Sequence, residues 1–147
     1  MKTVITRSGK QTQDLGEKIA KKLRGSEIFA LYGELGSGKT QFVKGLAAGL
    51  GIKQHVVSPT FSLINHYIFK KSGKKLNFYH LDLYRLRKKR EAVELGLPEI
   101  LSRSRRIIAI EWPQIAESLL PAGSMTIFFS HGRKANERRI KISDALL

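Results

Sequence analysis

The chain of 147 residues contains no cysteine. Disulfides and thiolate metal sites are thereby excluded, and a reducing compartment suits it. No apolar run approaches the roughly 18–20 residues needed to cross a bilayer. The opening residues Met1-Lys2-Thr3-Val4-Ile5-Thr6-Arg7 lack the apolar segment and cleavage site of a secretory signal, so a cytoplasmic protein without membrane attachment is expected. Acids are scarce as well: 12 stand against 27 lysines and arginines, for a formal net charge of +15. Such a field favours polyanions. Yet no zinc finger, RNP-type aromatic signature or clear helix-turn-helix is visible, so no nucleic-acid reading module is identified. There is also no internal repeat and no linker-like segment. The length suits one domain, residues 1–147, able to bury a real core.

The excess positive charge is clustered in Lys18–Arg24, Lys70–Lys75, Arg85–Arg90, Arg103–Arg106 and Arg133–Lys141. Solvated faces explain these runs about as well as contact with RNA or an acidic partner protein does.

The most specific feature is Gly33-Glu34-Leu35-Gly36-Ser37-Gly38-Lys39-Thr40, a full G-x-x-x-x-G-K-T phosphate-binding loop. Ile28–Tyr32 before it is an apolar stretch of strand length, and Gln41–Leu50 after it reads as a helix with Phe42, Val43, Leu46 and Leu50 apolar. Glycines allow a tight turn whose N–H groups point inward at phosphate oxygens, and the helix N-terminus adds its dipole. Lys39 can reach the β- and γ-phosphates, and the Thr40 hydroxyl can bind Mg²⁺.

Around this core, residues 11–24 place Leu15, Ile19, Ala20 and Leu23 on one helical face, with Thr12 as a candidate cap and Gly25 beyond the end. Val56-Val57 suggests a short strand. Leu63–Lys70 and Lys75–Tyr84 suggest a hairpin turning at Lys71-Ser72-Gly73-Lys74. Glu91–Leu95, Pro98–Ser104 and Ile115–Leu120 read as short helices. Ile107–Ile110 reads as a strand buried on both faces, and Met125–Ser130 with Arg138–Ser143 as closing strands. The expected fold is α/β, a P-loop NTPase-like domain with a mixed sheet flanked by helices.

Hydrolysis needs a carboxylate at the end of a neighbouring strand. Glu111 ends the run Ile107–Ile110 directly, as a Walker-B acid does; the plainer alternative is a strand-end acid paired with an arginine. In His80-Leu81-Asp82-Leu83-Tyr84-Arg85, alternation puts His80, Asp82 and Tyr84 on one face, which favours an exposed or functional face. Asp82 could instead pair with Arg85, and His80 could be a structural histidine. Trp112 fits core packing or a place beside a nucleotide. Ser58-Pro59-Thr60 offers hydroxyls for a γ-phosphate sensor, or a proline turn.

The ordered set G-E-L-G-S-G-K-T, S-P-T-F, H-L-D-L-Y-R and E-W-P resembles the bacterial TsaE family, over nearly the whole chain from Thr12 to the last strands. The resemblance implies a small ATPase needed to make N6-threonylcarbamoyladenosine at position 37 of tRNAs reading codons that begin with A. It implies ATP and Mg²⁺ held by Gly33, Gly36, Ser37, Gly38, Lys39, Thr40 and Gln41. Thr40, Asp82 and Glu111 would form the metal site, and Lys39, Asp82 and Glu111 the catalytic set. Thr60 would lie in a loop responsive to nucleotide state. Thr12 and Arg133 match, more loosely, positions near the nucleoside. The implied partners are TsaD, which carries the transferase site, and TsaB, its companion. Gln114 after Pro113 departs from the usual acid. A small-molecule kinase and a non-hydrolysing nucleotide-gated binding protein are the competing readings of the same loop.

Overall fold

Every residue of Arg106–Glu111 is buried, because this strand (β5) has a sheet neighbour on each side and a packed layer on each face. A computed structural model describes residues 1–59 and 62–147. Thr60 and Phe61 lie outside the described residues, and the sensor expected at Thr60 with them.

The strands are β1 (Lys2–Thr6), β2 (Ile28–Tyr32), β3 (Ile64–Lys71), β4 (Lys74–Asp82), β5, β6 (Met125–His131) and β7 (Arg138–Ile142). They form one seven-stranded sheet in the order β1-β7-β6-β2-β5-β4-β3. The central strands β6, β2, β5 and β4 run parallel, while β3 pairs antiparallel with β4 at one edge and β7 pairs antiparallel with both β6 and β1 at the other. The mixed sheet expected from sequence is therefore present. Alternation along β5 divides the core: Ile107 and Ala109 join the layer under helices α1 (Gly9–Ala20) and α2 (Lys39–Gly49), whereas Ile108 and Ile110 face α3 (Lys89–Leu95) and α4 (Leu97–Ser102).

Helices α1 and α2 pack backbone to backbone. A Cβ on Gly45 would sit 2.0 Å from the Gln13 carbonyl oxygen, and one on Gly16 would sit 2.3 Å from that of Phe42. Glycine is required at this crossing for close approach.

Several local expectations are corrected. Ser8, not Thr12, caps α1, its hydroxyl accepting from the Gln11 N–H at 3.1 Å. Thr12 lies one turn inside the helix. Val56-Val57 is not a strand; Val56 instead drops into the core beyond α2. Tyr84 lies past the end of β4, so His80, Asp82 and Tyr84 do not share a strand face. The hairpin turns on Ser72 and Gly73 alone, both at positive φ (52° and 75°), which matches the twist of a two-residue hairpin loop. Residues 113–119 form a 3₁₀ turn. Strand β1 went unread in the sequence because Lys2–Thr6 carries charge and polar groups, and pairing with β7 gives it its place at the sheet edge.

Candidate functional site

The parallel strands β2, β4 and β5 end side by side, with Asp82 in register with Glu111 and Glu111 in register with Leu31. The chain leaves β2 through the glycine loop and enters α2 at Lys39. Gly36 (φ 72°) and Gly38 (φ 107°) take left-handed conformations there, which only glycine adopts at little cost. A cleft of about 360 Å³ opens above these ends. Its walls include Thr12, Gly36, Ser37, Gly38, Lys39, Thr40, Gln41, Asp82, Glu111 and Trp112. Ten of the residues singled out in the sequence thus meet in one place.

The polar groups are tightly arranged. Thr40 Oγ1 donates to the Glu111 carboxylate, 3.0 Å from each oxygen. His80 Nε2 lies 2.5 Å from Glu111 Oε2. A carboxylate only accepts hydrogen bonds, so Nε2 carries the proton of that contact. His80 is wholly buried and Glu111 is 3 % exposed, which corrects the exposed face considered for His80. The histidine is a buried brace behind the acid, a role alternation along β4 did not suggest. Asp82 accepts from the Tyr84 backbone N–H at 2.9 Å and lies 3.4 Å from the Ser58 hydroxyl.

Lys39 is only 4 % exposed. Its ammonium donates to the carbonyls of Gly33 and Glu34 and sits 3.9 Å above the centre of the Trp112 ring. Burial pulls the Lys39 pKa below its usual value, against the opposing pull of Glu111, Asp82 and Glu34. Burial pushes the Asp82 carboxyl up, and nearby Glu111 adds to it, while the Tyr84 N–H bond, His80 and Ser58 oppose. Trp112 itself has φ 55° and packs on Tyr84 with ring centroids 4.8 Å apart.

Thr12 bonds the Thr6 hydroxyl at 2.7 Å, and the Gln41 side chain accepts from Gln13 at 2.6 Å. Gly33 stands at the strand–loop junction, where a Cβ would meet Ser37 Oγ at 2.5 Å. Arg133 lies in the turn between β6 and β7, its backbone N–H on Glu137, and is not among the lining residues. Arg138 and Asn136 line the cleft instead, with Arg138 Nε donating to the Gly36 carbonyl at 3.0 Å. The sequence reading missed Arg138, although parity in Arg138-Arg139-Ile140-Lys141-Ile142 sets it on the face of Ile140 and Ile142. Ser58 and Gly9 also line the cleft.

The loop fits a polyphosphate. Ser37 Oγ is buried and has no hydrogen-bond partner among the described residues, a cost that an incoming oxygen would remove. Among the described residues no group of three or more His, Cys, Asp or Glu side chains could hold an ion alone. The set Thr40, Asp82 and Glu111 suits Mg²⁺, which keeps waters and shares its coordination between one or two carboxylates and substrate phosphates.

Comparison with known proteins agrees with the motifs. The family profile described as threonylcarbamoyl adenosine biosynthesis protein TsaE matches residues 6–140. A protein of Borreliella burgdorferi named tRNA threonylcarbamoyladenosine biosynthesis protein TsaE is 50% identical over 95 residues, 65% of this chain and 66% of that protein, just under two thirds of its length. Relatives of the same name from Treponema pallidum and Aquifex aeolicus are 36% and 41% identical. The first match covers 84% of this chain and 87% of the relative, the second 78% of each. The crystal structure of YdiB from Bacillus subtilis superposes with a TM-score of 0.75 at 28% identity, covering 99% of this chain and 88% of that one. Motif order, sheet and matched length together make this chain a member of the TsaE family.

Proposed function

We propose that this protein binds and hydrolyses ATP with Mg²⁺ as a subunit of the machinery that installs N6-threonylcarbamoyladenosine in tRNAs reading codons that begin with A. The observation that carries the reading is the convergence of the glycine loop, Lys39, Thr40, Asp82 and Glu111 at the ends of β2, β4 and β5.

The reaction is ATP + H₂O to ADP + phosphate. Loop N–H groups and the α2 N-terminus take the phosphates, and Lys39 leaves its carbonyl partners for the β- and γ-phosphates. Thr40, Asp82 and Glu111 would hold Mg²⁺, which when bound neutralises charge on the phosphate oxygens. His80 and Thr40 fix both oxygens of Glu111, so the acid can orient a water without first reorganising. The Trp112 ring shields Lys39 from water and keeps its charge effective. Thr12, Gln41 and Arg138 border the remainder of the cleft, where the nucleoside would lie. TsaD and TsaB are the proposed partners and the cytoplasm the proposed compartment. No helix among the described residues is long and apolar enough to cross a membrane.

The test is Mg²⁺-dependent phosphate release by this chain alone and with TsaD and TsaB added. A low rate that rises with both partners is expected. An unchanged rate, together with phosphate transfer to a small-molecule acceptor, would replace the ATPase with the kinase.

A further inference from the structure

At the opposite end of the sheet, three basic runs far apart in sequence come together. Strand β2 starts at Ile28, β4 at Lys74 and β5 at Arg106, so these starts lie at the far pole from the phosphate loop. Arg24, Lys71, Lys74 and Arg105 surround a concavity of about 350 Å³ floored by Gly25, Ser26, Ser72 and Leu76. Lys70 and Lys75, paired across the hairpin, project from the opposite face of its strands and are not part of this lining. The Lys71 ammonium donates to the Leu23 carbonyl and ties the hairpin to the loop after α1. None of the four cations lining the concavity forms an ion pair among the described residues. The nearby acid Glu27 has its carboxylate turned onto the backbone N–H groups of Arg24, Gly25 and Ser26.

We propose that this pole is an RNA-binding surface that grips a phosphodiester backbone. A mixed solvated surface intersperses both signs of charge, and this one holds four cations around one engaged acid. Protein interfaces have apolar, often aromatic cores depleted in lysine, whereas nucleic-acid interfaces are polar and strongly positive. Among the described residues, the only large apolar side chain lining the concavity is Leu76, and it is buried. The chemistry therefore favours RNA over an acidic protein. Choosing tRNA as the RNA rests on the tRNA-modification reading above, whereas the surface itself does not depend on ATP hydrolysis.

The experiment measures binding of a fluorescently labelled, unmodified tRNA transcript by anisotropy at 50–200 mM KCl. It compares wild type with Arg24→Gln/Lys71→Gln/Lys74→Gln/Arg105→Gln. A control carries Lys53→Gln/Arg87→Gln/Lys89→Gln/Lys134→Gln, the same charge removed from exposed positions elsewhere. The pole variant is expected to lose tenfold or more in affinity and about three units of salt slope, from the roughly 0.7–0.9 per phosphate contact. The control should change less than threefold. Equal losses in both would overturn the proposal, as would tighter pole-dependent binding of poly-L-glutamate than of tRNA. Thermal melting reports folding, and a triple variant retaining Lys71 covers the case in which loss of its bond to Leu23 unfolds the chain. ATP affinity measured in the same samples separates failure of this surface from failure of the ATPase reading.

Discussion

The two ends of the parallel strands hold charge in opposite ways. At the carboxyl ends, Lys39 and Glu111 are buried and Asp82 is half-buried; Thr40 and His80 hold Glu111, Trp112 covers Lys39, and the Tyr84 N–H holds Asp82. At the amino ends, Arg24, Lys74 and Arg105 stand in solvent without carboxylate partners among the described residues. The first arrangement is costly to assemble and gains most when a charged ligand completes it. The second costs little and attracts through its summed field. Burial marks where chemistry can be directed, and like charge in the open marks where a large polyanion can be met.

The comparison predicts that substitutions at the buried end act steeply and one at a time. Glu111→Gln keeps the volume and part of the bonding while removing the charge. Phosphate release should fall by about 100-fold or more, with the ATP dissociation constant from calorimetry changing less than threefold. A matching loss of ATP binding would break the division between holding and hydrolysing. Lys39→Ala should weaken ATP binding by about 10- to 100-fold, the worth of a charge-assisted hydrogen bond. Because Lys39 lies on the only tryptophan, ATP-dependent change in Trp112 emission provides a direct readout.

A subtler consequence concerns stability. Burial holds the Asp82 carboxyl above its ordinary range, with Glu111 acting in the same direction. The ionised form is therefore disfavoured in the folded chain relative to the unfolded one, and at neutral pH it subtracts from stability. That penalty shrinks as pH falls below the raised folded-state value and is gone below the ordinary value of the unfolded chain. Asp82→Asn should accordingly stabilise the nucleotide-free protein by about 0.5–2 kcal/mol near neutral pH. The gap should close on acidification, measured by urea unfolding across a pH series. A gap independent of pH would remove the carboxylate from the explanation.

The smallest effect is expected at the open end. Strand β4 separates Lys74 from Asp82 by roughly 25 Å, several Debye lengths at physiological salt. Lys74→Gln with Arg105→Gln should change ATP affinity less than twofold by calorimetry. A larger change would mean that the two poles communicate through the sheet.

The glycine loop and the acid ending β5 were legible in the sequence, because local patterns specify both: a fixed spacing in one, a short apolar run in the other. Thr12 and Gln41 were placed through the family resemblance, and Trp112 by one of two readings of a lone tryptophan; the structure brings all three to the same cleft. The pairing of His80 with Glu111 was not legible, since it joins residues 31 apart through parallel register. Arg138 was hidden among neighbouring arginines until β6 and β7 paired. The basic pole was visible only as separate runs, and chain crossings in three dimensions made them one surface.

The tight crossing of α1 and α2 has a mechanical consequence. Gly16 and Gly45 bring the two backbones into contact, so neither helix can slide without collision. Helix α2 begins at Lys39 and Thr40, and α1 carries Thr12, so this wall of the cleft moves as a single stiff plate. Breathing of the cleft is thereby left to its other walls, where Ser58, Asp82, Trp112, Asn136 and Arg138 sit at loop and strand ends. The wall that carries the glycine loop is rigid, and adjustment is left to the walls around it.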